Sequence, residues 1–311
     1  MIYSRISGTG SYLPEKILTN KDIEKFVDTS DSWIQERTGI VSRRMAAEGQ
    51  TTTELAAAAL EQALAAAGRT ATELDLIVVA TCTADSQFPS VATLLQRHFD
   101  VRGFPAFDLN AACSGFVYGM DIIDAMIRSG GVRCAALIGV ERMSSLIDWN
   151  DRSTCVLFGD GAGAVILEPT KEPGIISTHI HADGAYADLL YHDVNTKKIV
   201  MEGNKVFRVA VKTLERIVDE TLDANGLDRS AVDWLIPHQA NLRIMLATAQ
   251  KLNLPEEQVI VTVDQHGNTS AASIPLALDH GIRNGQIKRG EMLLMESFGA
   301  GFTWGSALVK Y

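Results

Sequence analysis

The feature that most limits what this chain can fold into is an internal repeat. Thr51 to Ala67 carries an amphipathic helix pattern, with a capping-box start at Thr51 and Glu54, an apolar stripe of Leu55, Ala59, Leu60, Ala63 and Leu64, and Gly68 as its stop. Lys205 to Asn225 repeats it, with Phe207, Ala210, Val211, Leu214, Val218 and Leu222 on one face and Gly226 as the stop. The interval from Gly68 to Asp75 and from Gly226 to Asp233 is seven residues each time, and the apolar runs Leu76–Ala80 and Trp234–Pro237 follow. Later segments correspond as well: 104–110 with 259–264, 135–140 with 292–296, and 161–167 with 301–309. Short apolar strands alternating with helices imply largely parallel sheets covered on both faces. The expectation is an α/β protein of two duplicated halves, residues 1–170 and 171–311, with Pro169 and Pro173 marking the junction.

Composition narrows the class. A hydrophobic fraction of 46% with only 6% aromatic residues suits an α/β enzyme, and no apolar run reaches transmembrane length. Met1 to Gly10 does not read as a secretory signal, so a cytoplasmic location is the expectation. Cys82, Cys113, Cys134 and Cys155 are too scattered for a disulfide framework or a zinc cluster, and no metal or other cofactor is expected. The formal charge of −10 disfavours nucleic acid, and it requires that any anionic substrate meet a local concentration of basic residues.

The chemistry-bearing residues lie where strands end. In Asp108-Leu109-Asn110-Ala111-Ala112-Cys113-Ser114-Gly115-Phe116 a cysteine stands between a strand and a helix opened by small residues. Unpaired N–H groups and the positive end of the helix dipole at that point should lower its pKa, making Cys113 a nucleophile candidate. The other three cysteines read as buried structural thiols. Pro237-His238-Gln239-Ala240-Asn241 and Gln265-His266-Gly267-Asn268-Thr269-Ser270 follow strands of the second repeat, and strand ends in such sheets converge on one crevice. Taken singly, His238 has an ordinary reading as a structural histidine and Asn268 as a helix cap. The glycines of 159–163 precede a strand instead of joining a strand to a helix, so they read as a turn and not as a dinucleotide loop.

In combination, Ala111-Ala112-Cys113-Ser114-Gly115, His238-Gln239-Ala240-Asn241 and His266-Gly267-Asn268-Thr269-Ser270 resemble β-ketoacyl-[acyl carrier protein] synthase III, the initiating enzyme of dissociated fatty-acid synthesis. The resemblance runs from Asp31-Ser32-Trp33-Ile34 and Glu36-Arg37-Thr38-Gly39-Ile40 to the 297–305 segment. It implies the thiolase fold, a five-layer αβαβα duplication, and a homodimer. It implies that Cys113 takes an acyl group from acyl-CoA, a substrate and not a resident cofactor, before malonyl-acyl carrier protein enters. His238 and Asn268 would then drive decarboxylation, and the backbone N–H groups of Cys113 and Ala300 would bind the tetrahedral oxyanion. The resemblance further assigns Thr29, Trp33, Arg37 and Arg152 to CoA, with Trp33 and Arg152 sandwiching the adenine. Gly203, Asn204, Phe207 and Asn241 would line the pantetheine tunnel. Arg243, Arg208 and Lys251 would face the carrier protein, with Gln250 where a neighbouring lysine is common, and Phe88 would close the partner's acyl pocket over a short primer.

Three relatives of that enzyme compete. A specialised synthase with another donor or acceptor would share the motifs, although Trp149-Asn150-Asp151-Arg152 and His266-Gly267-Asn268 favour the fatty-acid enzyme. Elongating synthases use two histidines where this chain offers His238 and Asn268. A degradative thiolase needs a second catalytic cysteine near the C-terminus, and none follows Cys155. From another class, an inactive acyl-binding protein would have no reason to keep Cys113, His238 and Asn268 together.

Overall fold

The computed structural model describes residues 2–311. Local chemistry sets the helix ends. The Thr51 side chain accepts the Glu54 N–H, the Glu54 carboxylate accepts the Thr51 N–H at 2.7 Å, and the helix runs Thr52–Ala67 to Gly68 at φ 64°. The matching helix of the second repeat spans Gly203–Asn225, beginning two residues before the predicted start, and ends on Gly226 at φ 61°. No helix among the described residues is long and apolar enough to cross a membrane.

The first sheet has five strands in the order Tyr3–Tyr12, Asp160–Thr170, Ala135–Arg142, Leu76–Ala80 and Ala106–Leu109. The second has four, in the order Trp234–Pro237, Met292–Gly299, Thr303–Lys310 and Ile175–Ala182. Both sheets are mixed, which corrects the largely parallel expectation. Leu76–Ala80 runs parallel to both of its neighbours and Trp234–Pro237 runs parallel to Met292–Gly299, but the remaining pairs are antiparallel. Residues 300–302 are too few for a crossover, so Thr303–Lys310 must return beside the strand before it.

The strand expected at 259–264 is reduced to one bridge between Leu235 and Val259. Gln239 takes its place. Its amide nitrogen donates to the Ile260 carbonyl at 3.0 Å, and its amide oxygen accepts the N–H groups of Thr262 and Val263 at 2.8 and 3.1 Å. Backbone groups that would have continued a ladder are satisfied by this buried side chain, and the chain coils into the turn Val263–His266.

Alternation along the strands builds the layers. Leu76, Val78, Ala135 and Leu137 face a central core with Phe116, Met120 and Ile123 of the helix Gly115–Arg128 and with Ile274 and Leu278 of the helix Ser273–Arg283. Ile236, Leu293, Met295, Ala307 and Val309 of the second sheet meet the same core from the other side. Outward-facing Ile77, Val79, Ala136 and Ile138 are covered by Leu55, Leu60 and Leu95, and Leu235, Leu294 and Leu308 by Val218, Leu222, Ala249 and Leu252. The result is helix, sheet, helix, sheet, helix. Gly139 and Gly163 make the close contacts in this stack possible. A Cβ on Gly139 would lie 2.2 Å from the Ala271 carbonyl oxygen, and one on Gly163 would lie 2.7 Å from the Leu276 nitrogen.

Candidate active site

The turn that carries Cys113 is assembled from short contacts between distant segments. After the strand Ala106–Leu109, Ala112 adopts φ 46° and the helical turn Ala112–Ser114 leads into Gly115–Arg128. Ser114 Oγ donates to the Thr303 carbonyl at 3.0 Å, and Thr303 Oγ1 donates to the Ala111 carbonyl at 2.9 Å. A Cβ on Gly299 would lie 2.8 Å from the Cys113 nitrogen, so only glycine lets the 299–300 segment pass beside the cysteine. Among the described residues the Ala300 N–H has no hydrogen-bond acceptor in the protein.

His238 follows the strand Trp234–Pro237, and its Nδ1 lies 2.6 Å from Ser273 Oγ. That hydroxyl also accepts the Gln239 N–H at 3.3 Å, and with a second lone pair and its own hydrogen it can pair with Nδ1 in either tautomer of the ring, while Nε2 has no partner in the protein among the described residues. Burial holds the imidazole neutral, with its pKa lowered to about 4. Asn268 is clamped by the other half: its N–H donates to the Leu157 carbonyl at 2.8 Å and its carbonyl accepts the Gly159 N–H at 3.0 Å. Its side-chain oxygen accepts the Ser270 N–H at 2.8 Å, so Nδ2 is left as a free donor.

Cys113, His238 and Asn268 line one cavity of about 500 Å³. Its wall also includes Trp33, Arg37, Gly203, Asn204, Phe207, Arg208, Asn241 and Arg243. Asn241 caps the helix Leu242–Leu252 by accepting the Arg243 N–H, and its Nδ2 donates to the Arg37 carbonyl at 2.9 Å. Arg243 lies over the Phe207 ring at 5.3 Å and Arg152 over the Trp33 ring at 5.0 Å. Arg37, Arg208 and Arg243 have no carboxylate within 4.0 Å among the described residues, whereas Lys251 is paired with Asp219 at 2.8 Å and does not line the cavity. Thr29 also lies outside this lining, with its hydroxyl buried and unpartnered. A second cavity of about 610 Å³ opens on the other side of Cys113, lined by Cys82, Met143, Leu146, Phe158, Leu190, Ile199 and Ala300 among others. Phe88 lines neither cavity and is 82% exposed.

Two family models match, one described as 3-oxoacyl-[acyl-carrier-protein (ACP)] synthase III over residues 107–184 and one as its C-terminal part over residues 222–311. The whole chain is 58% identical to the whole of the β-ketoacyl-[acyl-carrier-protein] synthase III of Alkalilimnicola ehrlichii. The chain belongs to the β-ketoacyl-[acyl-carrier-protein] synthase III family. Its fold superposes on the crystal structure of the 3-oxoacyl-[acyl-carrier-protein] synthase III of Aquifex aeolicus with a TM-score of 0.97 at 48% identity, covering 99% of this chain and 100% of that one. The Pseudomonas aeruginosa synthase III gives 0.95 at 41% identity, covering 99% and 98%. The fold is thiolase-like, and the protein is an acyltransferase of the condensation that initiates fatty-acid synthesis.

One sequence-based expectation for this synthase III chain is overturned. Cys113 was expected to have a depressed pKa, but burial pushes the thiol up to about 11, and the neighbouring Glu141 adds to the rise. The helix terminus does not outweigh the loss of water. Alkylation of Cys113 by iodoacetamide, followed by mass spectrometry, is therefore expected to speed up about tenfold per pH unit from pH 7 to pH 10. A plateau below pH 8 would show instead that a thiolate is stabilised at rest.

Sequence reading also missed functional neighbours. Cys82, placed among the structural thiols, is partly exposed and lines the second cavity with Cys113. Ser273 hydrogen-bonds His238, the Ser270 N–H donates to Asn268 Oδ1 and the Ser270 hydroxyl donates to Glu141, and of these three only Ser270 lies inside the 265–270 motif. The sequence signal for Glu141 is a carboxylate directly closing the apolar run 135–140.

Proposed function

We propose that Cys113 attacks a short acyl-CoA, acetyl-CoA first among them, and that His238 and Asn268 then decarboxylate malonyl-acyl carrier protein to supply the carbon nucleophile. The supporting observation is that His238 and Asn268, whose Nε2 and Nδ2 have no partner in the protein among the described residues, line the same cavity as Cys113; in the tautomer with Ser273 Oγ donating to Nδ1, both present an N–H donor. In the first half-reaction the sulfur forms a thioester with the acyl carbon and CoA leaves as its thiol. In the second, the C–C bond of malonyl breaks as carbon dioxide departs, and the electron pair passes to an enolate whose oxygen the two donors hold. That carbanion attacks the acyl-cysteine carbonyl. The Cys113 and Ala300 N–H groups hold the tetrahedral oxyanion, and the tetrahedral intermediate expels the Cys113 thiolate and releases 3-oxoacyl-carrier. A neutral Nε2–H imidazole suits the donor role, because it stabilises developing charge without a permanent cation.

The arginine-lined mouth fits the anionic ends of both substrates. Trp33 and Arg152 would take the adenine, with Arg37 and Thr29 beside it, and Gly203, Asn204, Phe207 and Asn241 would line the pantetheine path. Arg243 and Arg208 are the free cations for an acidic carrier protein. Lys251 contributes there only if its pairing with Asp219 yields. The apolar second cavity suits the acyl chain. The exposure of Phe88 supports a homodimer in which it closes the partner's pocket, and the two halves, 1–170 and 171–311, act as one unit in the cytoplasm. Condensation with malonyl-carrier across a series of acyl-CoA primers from acetyl to octanoyl tests this reading. A preference for acetyl or propionyl is expected. Activity only with longer primers would assign the chain to a specialised synthase.

A further inference from the structure

Glu141, at the end of the strand Ala135–Arg142, is fully buried and has no Arg, Lys or His within 4.0 Å among the described residues. Its carboxylate is held by hydrogen-bond donors alone. Thr81 Oγ1 donates at 3.3 Å, Thr83 Oγ1 at 2.5 Å, the Cys82 N–H and thiol at 3.2 Å, and Ser270 Oγ at 3.1 Å. Burial pushes the Glu141 carboxyl above its ordinary value, the hydrogen bonds from Thr83, Cys82 and Ser270 oppose that rise, and keeping a carboxyl buried without a cation is costly. It therefore calls for a role beyond packing.

The role is visible one residue along. Ser270 is buried at φ 50°, a conformation that residues other than glycine adopt only under constraint, and in that conformation its N–H meets Asn268 Oδ1 at 2.8 Å. We infer that Glu141 is a positioning residue for decarboxylation: by accepting the Ser270 hydroxyl it holds Ser270 left-handed, and the Ser270 N–H in turn turns the Asn268 amide so that Nδ2 faces the cavity. This rests on the reading that Asn268 Nδ2 serves the malonyl thioester oxygen. The arrangement has a cost for the other half-reaction, because Glu141 also raises the pKa of the Cys113 thiol.

The test uses the full-length Glu141→Gln, Glu141→Gln/Ser270→Gly and Asn268→Ala variants. It follows radiolabelled carbon dioxide release from malonyl-carrier and, separately, covalent labelling of Cys113 by acetyl-CoA. Glu141→Gln is expected to lower carbon dioxide release about 10²-fold, the cost of a misplaced reacting contact, while labelling stays within about threefold or rises. Glycine adopts the left-handed conformation without constraint, so the double variant is expected to recover about tenfold of the lost release. Equal losses in both half-reactions, unchanged release in Glu141→Gln, or no recovery in the double variant would overturn the inference. If Asn268→Ala itself retains carbon dioxide release, the reading of Asn268 fails, which is a separate result from failure of the Glu141 assignment.

Discussion

Asn268→Ala is expected to leave labelling of Cys113 by acetyl-CoA within about twofold while lowering decarboxylation of malonyl-carrier by about 10²–10³-fold, the effect of removing one oxyanion-type donor from a water-poor site. The geometry supports such a clean split. Asn268 is held by backbone bonds to Leu157 and Gly159 that do not involve its side chain, so truncation removes the Nδ2 donor and the Oδ1 acceptor of the Ser270 N–H but keeps the backbone bonds that anchor the segment. The Cys113 turn depends on Ser114, Thr303 and Gly299, none of which touches the Asn268 amide. Stopped-flow release of carbon dioxide alongside mass spectrometry of the acyl-enzyme measures the two steps independently. Equal loss in both would remove Asn268 from the decarboxylation step.

Cys113→Ser is expected to give the complementary pattern. Covalent labelling and condensation fall by at least about 10³-fold, while carbon dioxide release persists within about tenfold of the starting enzyme. A serine hydroxyl needs a base, and His238 is a weak one: its Nδ1 is engaged with Ser273 Oγ and burial lowers its pKa to about 4. His238 and Asn268, the side chains proposed to stabilise the enolate, remain intact in this variant. An acyl-CoA label that survives denaturation in Cys113→Ser would place the nucleophile elsewhere.

Much of the architecture was legible from local patterns. Capping boxes, left-handed glycine stops and the matched intervals of the two repeats depend on residues a few positions apart, so the helices at 52–67 and 203–225 and the strands after them lie close to where they were expected. The prominence of 111–115, 238–241 and 266–270 was equally readable, because each follows a short apolar strand. The strand expected at 259–264 was not, since Gln239, more than twenty residues away, satisfies the backbone groups that a ladder would have used. Mixed pairing escaped notice for a similar reason. Apolar alternation shows that a strand is covered on both faces but not which way its neighbour runs.

What the sequence by itself determined is the set of candidate reacting groups, the α/β plan of two similar sheets and the strand-end positions where those groups stand, all of them consequences of short-range pattern. Only the tertiary structure decided that the Cys113 thiol sits high and not low, that the His238 ring is neutral, and that a buried glutamate at the end of one sheet's strand accepts the Ser270 hydroxyl of the Asn268 turn. Those properties follow from desolvation and from hydrogen bonds between segments up to 129 residues apart, and neither quantity exists until the two halves have packed together.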